Sequence, residues 1–253
     1  MARANSCIWC SRTKPSVKFE SRAHTFPKSL GGQKVCPDVC DECNHSFGRP
    51  TCSEPSIEVV LKEVLNFSRY YLLQPIKNQK LPRYKSEYFN VDWQKNSMRL
   101  KPRYALKYRL KDILGRQFRR GIYKVFLEES HRVRNDGHEA KYDFIREFSR
   151  YGFGDNPIYW LVPKFGLAIY SADDCLHPEL RFTESSDFLE RDYPIYNYQI
   201  MGHQFYIPVS KYFESLFYQD FTEYLKKQDD PFGHKLVAID KIERIDFTYS
   251  NLH

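Results

Sequence analysis

The sequence predicts an α+β protein of two unequal parts, a small cysteine-clamped unit at the N-terminus and a larger mixed domain behind it. Three observations carry that expectation. Two Cys-x-x-Cys pairs, Cys7/Cys10 and Cys40/Cys43, bracket a 29-residue insert. From Ser56 to Tyr151 the apolar residues recur mostly at helical spacing. Beyond Asn156 short apolar runs are separated by Gly, Pro and Asp clusters, as strands are. Helices first and strands later fit α+β rather than a repeating βαβ order. At 253 residues the chain can bury a sizeable core.

Composition narrows the function classes. The formal net charge is +7, a balance that suits a polyanion partner such as nucleic acid, because cations set against phosphates release counterions. Nineteen Tyr and 19 Phe supply rings for a core periphery or a binding face. The opening MARANSCIWCSRTK has no apolar signal core, and no run of about 18 apolar residues occurs, so a cytoplasmic protein without membrane partners is expected. Seven cysteines, an odd number, in a reducing compartment favour metal binding over a disulfide framework.

The cysteine unit comes first. Each Cys-x-x-Cys turn sets two thiolates on one side of a knuckle, and two knuckles complete a tetrahedral four-sulfur site suited to zinc. A redox dithiol is the rival reading, but it explains only one pair and lacks a surrounding βαβ pattern. Within the insert, Val17–Glu20 alternates like a short strand leading toward His24. Pro27 then stops pairing, Gly31-Gly32 makes a turn, and Val35–Val39 begins a return strand. Asn44-His45-Ser46-Phe47 opens a short helix that ends near Gly48 and Pro50.

The ordered set Ala23-His24-Thr25-Phe26-Pro27-Lys28-Ser29-Leu30-Gly31-Gly32, then Cys40-Asp41-Glu42-Cys43-Asn44 and Phe47-Gly48, resembles an HNH endonuclease of the ββα-metal superfamily, four-cysteine zinc type. The resemblance covers roughly residues 7 to 48. It implies a zinc-stabilised ββα-metal nuclease unit over 1–54, followed by an α+β C-terminal domain over 55–253. It implies that His24 is the general base, a task imidazole suits because its pKa lies near working pH. It implies that Asn44 helps hold a divalent cation, magnesium or manganese, while Cys7, Cys10, Cys40 and Cys43 hold structural zinc. A hard cation accepts an amide oxygen.

Two departures stand out. The family places Asp or Glu before the base, where this chain has Ala23, and Glu20, Asp38, Asp41 and His45 are the nearby substitutes. The family's middle Asn, which braces the histidine, has no counterpart from Gln33 to Val39. The resemblance extends to versions that also carry Ala-His. Cys36 reads as a buried thiol, and Cys52 and Cys175 have no partner at metal spacing.

After a linker at Pro50–Pro55, a helix is expected from Ser56 with Ile57, Val60, Leu61, Val64, Leu65 and Tyr71 on one face. Pro75–Pro82 reads as loop and Arg99–Leu110 as a strand or two. Basic residues concentrate at Lys107, Arg109, Lys111, Arg116, Arg119, Arg120 and Lys124, interleaved with Tyr108, Phe118 and Tyr123. With Lys28, Arg116, Arg119 and Arg120 form the expected DNA-contacting set, the alternative for the segment being a solvated helix flank. An apolar-rich helix follows to Arg132, and another from Lys141 closes at Tyr151-Gly152. Strands are expected at Ile158–Val162, Leu167–Tyr170, Tyr198–Ile207 and Leu236–Ile239, and an aromatic-rich helix at Tyr212–Lys226. Asp173-Asp174 and Asp229-Asp230 read as turn residues.

The function expected is metal-dependent hydrolysis of DNA phosphodiester bonds, in a defence or restriction setting. The C-terminal part would recognise the target or contact a second copy or another protein. A non-catalytic zinc-dependent nucleic-acid-binding module and a subunit of a larger complex are the alternatives.

Overall fold

The computed structural model describes residues 6–73, 84–92, 97–105, 109–162, 175–228 and 235–240. The Pro75–Pro82 loop, Lys107, Tyr108, the Leu167–Tyr170 run and both Asp-Asp pairs lie outside them. The described chain mixes helices with antiparallel sheets, the α+β class.

Two short strands, β1 (Ala23–His24) and β2 (Val35–Cys36), pair antiparallel with Ala23 opposite Cys36. Helix α1 follows at Asp41–Gly48. Val17–Glu20 is not part of a strand. Its hydrogen bonds go to the start of α1 instead: Asp41 N donates to Lys18 O at 2.9 Å, and Asp41 Oδ1 accepts from the amides of Glu20 and Ser21 at 2.9 and 2.8 Å.

Helix α2 (Ile57–Leu73) buries the expected face through Ile57, Val60, Leu61, Val64 and Leu65. Its start is capped by Ser56, whose Oγ accepts the Val59 amide at 3.3 Å. A hairpin of β3 (Phe89–Asp92) and β4 (Ser97–Leu100) leads into a single turn, α3 (Pro102–Ala105). The expected strand from Arg99 is therefore short and yields to helix.

Helix α4 (Leu110–Arg134) is the longest element and is buried for most of its length from Leu114 to His131. It stops where Asn135 turns left-handed, at φ 58°, and caps the His131 carbonyl. One turn, α5 (Asp143–Arg146), runs on through a wider turn to Tyr151, closed by Gly152 at φ 75°.

The second half is a four-stranded antiparallel sheet ordered β6-β7-β5-β8. Its strands are β5 (Tyr159–Val162), β6 (Ile195–Ile200), β7 (His203–Pro208) and β8 (Lys235–Ala238). Met201-Gly202 makes the β6–β7 turn, so the run expected as one strand around Tyr198–Ile207 is a hairpin. Helix α6 (Glu184–Asp192), capped by Thr183, was not anticipated. Helix α7 (Tyr218–Lys227) continues a wider turn at Phe213–Phe217.

Alternation along the strands gives the sheet two packed faces. On one, Phe118 and Phe126 of α4 meet Phe205 and Tyr196 at ring separations of 5.8 and 5.2 Å. On the other, Tyr159 and Tyr206 pack on Phe213 and Phe221 at 5.8 and 5.0 Å. The α4 face joins one continuous core with Trp9, Phe26 and Phe47 of the N-terminal segment. Helix α4 is thus sandwiched between the sheet and the cysteine unit.

His203 sits in this core, 7% exposed, with Nε2 2.8 Å from Ser68 Oγ. Burial lowers its pKa from 6.5 to about 3. The unfolded chain therefore binds a proton that the folded chain refuses, and stability present above pH 6.5 is lost as pH falls toward 3. The slope reaches about 1.4 kcal/mol per pH unit. Urea unfolding of wild type and His203→Gln between pH 7 and pH 4.5 should show a shallower decline in the variant. Parallel declines would mean that His203 is not the titrating group.

Candidate active site and metal centre

The four sulfurs of Cys7, Cys10, Cys40 and Cys43 lie within 4.8 Å of one another, with Cys10 and Cys40 3.7 Å apart. A tetrahedral zinc with bonds of about 2.3 Å needs sulfurs separated by roughly 3.8 Å. The residues present fit a structural zinc. Cys7, Cys40 and Cys43 are fully buried, and crowding thiolates there without a cation would be costly. The thiols are shifted in opposite directions: the Cys43 thiol, hydrogen-bonded to Cys7, lowers the Cys7 pKa, while burial raises that of Cys40.

Donors surround the sulfurs. Arg12 Nε reaches Cys10 Sγ at 3.5 Å, and Cys40 N reaches Cys7 Sγ at 3.4 Å. Arg150 Nε, from the turn after α5, reaches Cys43 Sγ at 3.4 Å. Such second contacts orient metal ligands and stabilise their charge. Cys36 is outside the cluster, and burial pushes its thiol pKa well up, as expected of an inert thiol.

His24 ends β1 and is half-buried. Neither ring nitrogen bonds a protein group, although both are shielded from solvent. A buried polar atom without a partner costs about 1–3 kcal/mol, so this arrangement points to a ligand or substrate contact. The finding also matches the missing bracing Asn. Burial lowers the His24 pKa, and the nearby charges of Lys28, Lys124 and Arg22 lower it further. The imidazole is thereby kept neutral at pH 7 and able to accept a proton.

The backbone of His24 is held from outside the unit. Lys124 of α4 is fully buried, and its Nζ donates to His24 O at 2.6 Å and Thr25 O at 3.1 Å. Its charge is met by Glu128 at 3.0 Å and Glu58 at 3.6 Å. Burial alone would lower the Lys124 pKa, but the two carboxylates outweigh it and the value rises. Glu128 in turn accepts from Trp9 Nε1 at 3.1 Å, which links the first cysteine knuckle to the same helix.

The chain after His24 is fixed by its two glycines. Gly31 has φ 91°, and a Cβ there would stand 2.0 Å from Leu176 O; at Gly32 it would stand 2.1 Å from Phe26 O. No larger residue fits either position.

Asn44 lies in the first turns of α1, and its amide nitrogen donates to Ser21 Oγ at 3.0 Å. Ser21 Oγ donates to Asp41 Oδ1 at 2.7 Å. The Asp41–Ser21–Asn44 chain orients the amide, and its oxygen has no donor among the described residues. That arrangement suits a hard cation.

His24, Lys28, Asn44 and His45 line one cavity of about 800 Å³, together with Glu58 of α2. Arg22, Arg49 and Lys62 line it as well, so four cationic side chains with Lys28 face one carboxylate. Arg22, Lys28 and Arg49 make no ion pair among the described residues.

The other basic residues are used elsewhere. Arg116 Nη2 donates to the carbonyls of Gly152 and Gly154 at 2.6 and 2.9 Å. Arg119, 7% exposed, bonds Asn156 O and pairs with Asp155 at 2.9 Å. Arg120 donates to Ser149 O from Nε and Nη2, at 3.2 and 3.1 Å, and burial lowers its pKa to about 10. Spacing of three and four puts these side chains on one face of α4, and that face meets residues 149–156 rather than solvent. Sequence density could not show which way the face turned.

The fold and site together set four clustered cysteines, a set that fits zinc, on a ββα unit whose histidine and amide line a cationic cavity. Residues 7–55 match the family model described as HNH endonuclease, and the close set of four cysteines agrees with its zinc type. Among curated proteins and solved structures, none matches this chain. The family supports a nuclease-type role and a nucleic-acid substrate. No helix among the described residues is long and apolar enough to cross a membrane.

Zinc removal should unfold the unit, since structural zinc contributes on the order of 10 kcal/mol, as much as a whole domain's stability. Cys40→Ser should lose bound zinc by elemental analysis and lose amide protection across residues 7–48. A variant with zinc-free, undiminished protection would contradict a zinc clamp.

Proposed function

We propose that the chain is a metal-dependent endonuclease that hydrolyses DNA phosphodiester bonds with His24 as general base. The observation carrying this reading is the pair of buried, unbonded ring nitrogens of His24 inside a cationic cavity shared with Asn44. Lys28, Arg22 and Arg49 attract the phosphate backbone and hold it over the histidine. His24 accepts a proton from the attacking water as the new P–O bond forms and the leaving oxygen departs. Lys124, by fixing the His24 carbonyl, keeps the ring at one depth in the cavity. A divalent cation, magnesium or manganese, held with the help of the Asn44 amide oxygen, would neutralise charge on the phosphate and the leaving oxygen.

The division of labour proposed with it assigns the general base and the cation's amide ligand to residues 1–54 and target or partner recognition to residues 55–253. The proposed activity also suits a defence or restriction role. Lower phage plating efficiency on cells expressing wild type than on cells expressing His24→Ala would support that role, and equal efficiency across a phage panel would remove it.

Plasmid nicking tests the chemistry. With magnesium or manganese, wild type should nick supercoiled DNA and His24→Ala should be slower by about 10²-fold or more, in the range of a lost general base. Equal rates would remove His24 from the mechanism. Salt-sensitive binding without cleavage under either cation would favour the non-catalytic zinc module instead.

A further inference from the structure

The family's carboxylate position is closed in this chain. Ala23 is fully buried in β1, opposite Cys36, so a carboxylate at that position would be desolvated. The acids nearest in sequence are occupied. Asp41 Oδ1 accepts three hydrogen bonds from Glu20 and Ser21, and Asp38 Oδ2 lies 2.9 Å from His131 Nε2. Glu20 lies 3.7 Å from Lys18 on the surface. None of the three lines the cavity of His24.

Glu58, in the first turn of α2, does line it, and it is the only carboxylate that does so among the described residues. Its two oxygens face different neighbours. Oε1 is 3.6 Å from Lys124 Nζ, the ammonium that holds the His24 carbonyl. Oε2 stands 3.4 Å from the position a Cβ on Gly48 would take. Gly48 and Asn44 are four residues apart on α1 and so share one face, about 6 Å apart along the axis. Glu58 Oε2 therefore overhangs the helix face that carries the Asn44 amide. Lys124 is shared between two carboxylates, Glu128 at 3.0 Å and Glu58 Oε1 at 3.6 Å, which leaves Glu58 Oε2 on the side of α1. Glu58 is also the anion whose field opposes burial and the cations at His24.

We infer that Glu58 is the carboxylate ligand of the catalytic cation, supplied by α2 in place of the residue before the base, with Asn44 as its amide partner. This rests on the nuclease reading for the purpose of the ion but not for its binding. A carboxylate and an amide oxygen, with waters completing the shell, form a donor set that magnesium and manganese accept. The site is then built across the junction of the zinc unit and the helical part. A chain cut after residue 54 would lack the charge that holds the cation.

Manganese is the probe. Binding of Mn2+ to the zinc-loaded full chain, followed by titration calorimetry and by the resonance of free manganese, should weaken at least ten-fold in Glu58→Gln. Zinc content and melting temperature serve as controls. The manganese concentration giving half-maximal nicking should rise by the same factor. If Glu58→Gln folds poorly, Glu58→Asp keeps the charge toward Lys124 yet shortens the reach, and it should also bind manganese more weakly.

Unchanged manganese affinity in both variants would overturn the assignment, as would no binding by wild type at millimolar manganese. Glu58-dependent binding without DNA cleavage would support the ligand and sink the nuclease reading. Cleavage that is indifferent to Glu58→Gln would do the reverse.

Discussion

A single buried ammonium organises the molecule. Lys124 is fully buried in the middle of α4, and it bonds the carbonyl of His24, the last residue of β1, and that of Thr25 just after it. Placing a charge there is expensive unless every donor is met. Glu128 one turn along, Glu58 across the groove and the two carbonyls together meet it. The result is a polar bolt through an otherwise apolar interface. Its loss would strand the Glu128 carboxylate, which burial already pushes up to about 7. Breaking such a pair on one side typically costs ~3–5 kcal/mol.

The bolt works with the cysteine clamp. The sulfurs of Cys7 and Cys10 in the first knuckle stand beside those of Cys40 and Cys43 at the start of α1, a set that fits zinc, and Trp9 ties that knuckle to Glu128. Arg150 donates to Cys43, and Arg146 Nε donates to the Ile8 carbonyl at 2.8 Å, so the chain after α4 also grips the knuckles. Arg116, Arg119 and Arg120 fasten α4 to residues 149–156. Arg116, Arg119 and Arg120 are thus spent on rigidity, while Arg22, Lys28 and Arg49, which make no ion pair among the described residues, line the cavity. Packing fixes the backbone of His24 while leaving its ring nitrogens unbonded, which is the condition a proton acceptor needs.

Much of the N-terminal unit was legible because its signals are local. The cysteines within each knuckle, His24 before a Pro and a Gly-Gly turn, and Asn44 directly after the second knuckle are signals carried by residues a few positions apart. The glycines were readable as a turn, though their true constraint is the approach of the Phe26 and Leu176 carbonyls. Val17–Glu20 misled because alternation says nothing of a competing acceptor, and Asp41 took its amides. Tertiary facts stayed hidden. Whether Lys124 and Arg120 face solvent or core depends on where α4 lands, and no periodicity encodes that landing. Glu58 carried no sequence signal at all, being one acid at the start of an amphipathic helix. Ser21 was equally silent, since its role is only to relay Asp41 to Asn44.

The claim at the centre is that His24 is positioned from α4, and hydrogen exchange on a variant lacking the bolt tests it most directly. The double substitution Lys124→Met/Glu128→Gln removes both charges of the buried pair and leaves no stranded anion between them. The Thr25 amide, which bonds Lys34 O at 3.1 Å, reports on the strand pair beside His24. In the variant that amide should lose at least ten-fold in protection, while the α1 amides between the zinc ligands keep theirs. Unchanged protection at Thr25 in a folded, zinc-loaded variant would contradict the account and show that the ββα unit holds its histidine unaided.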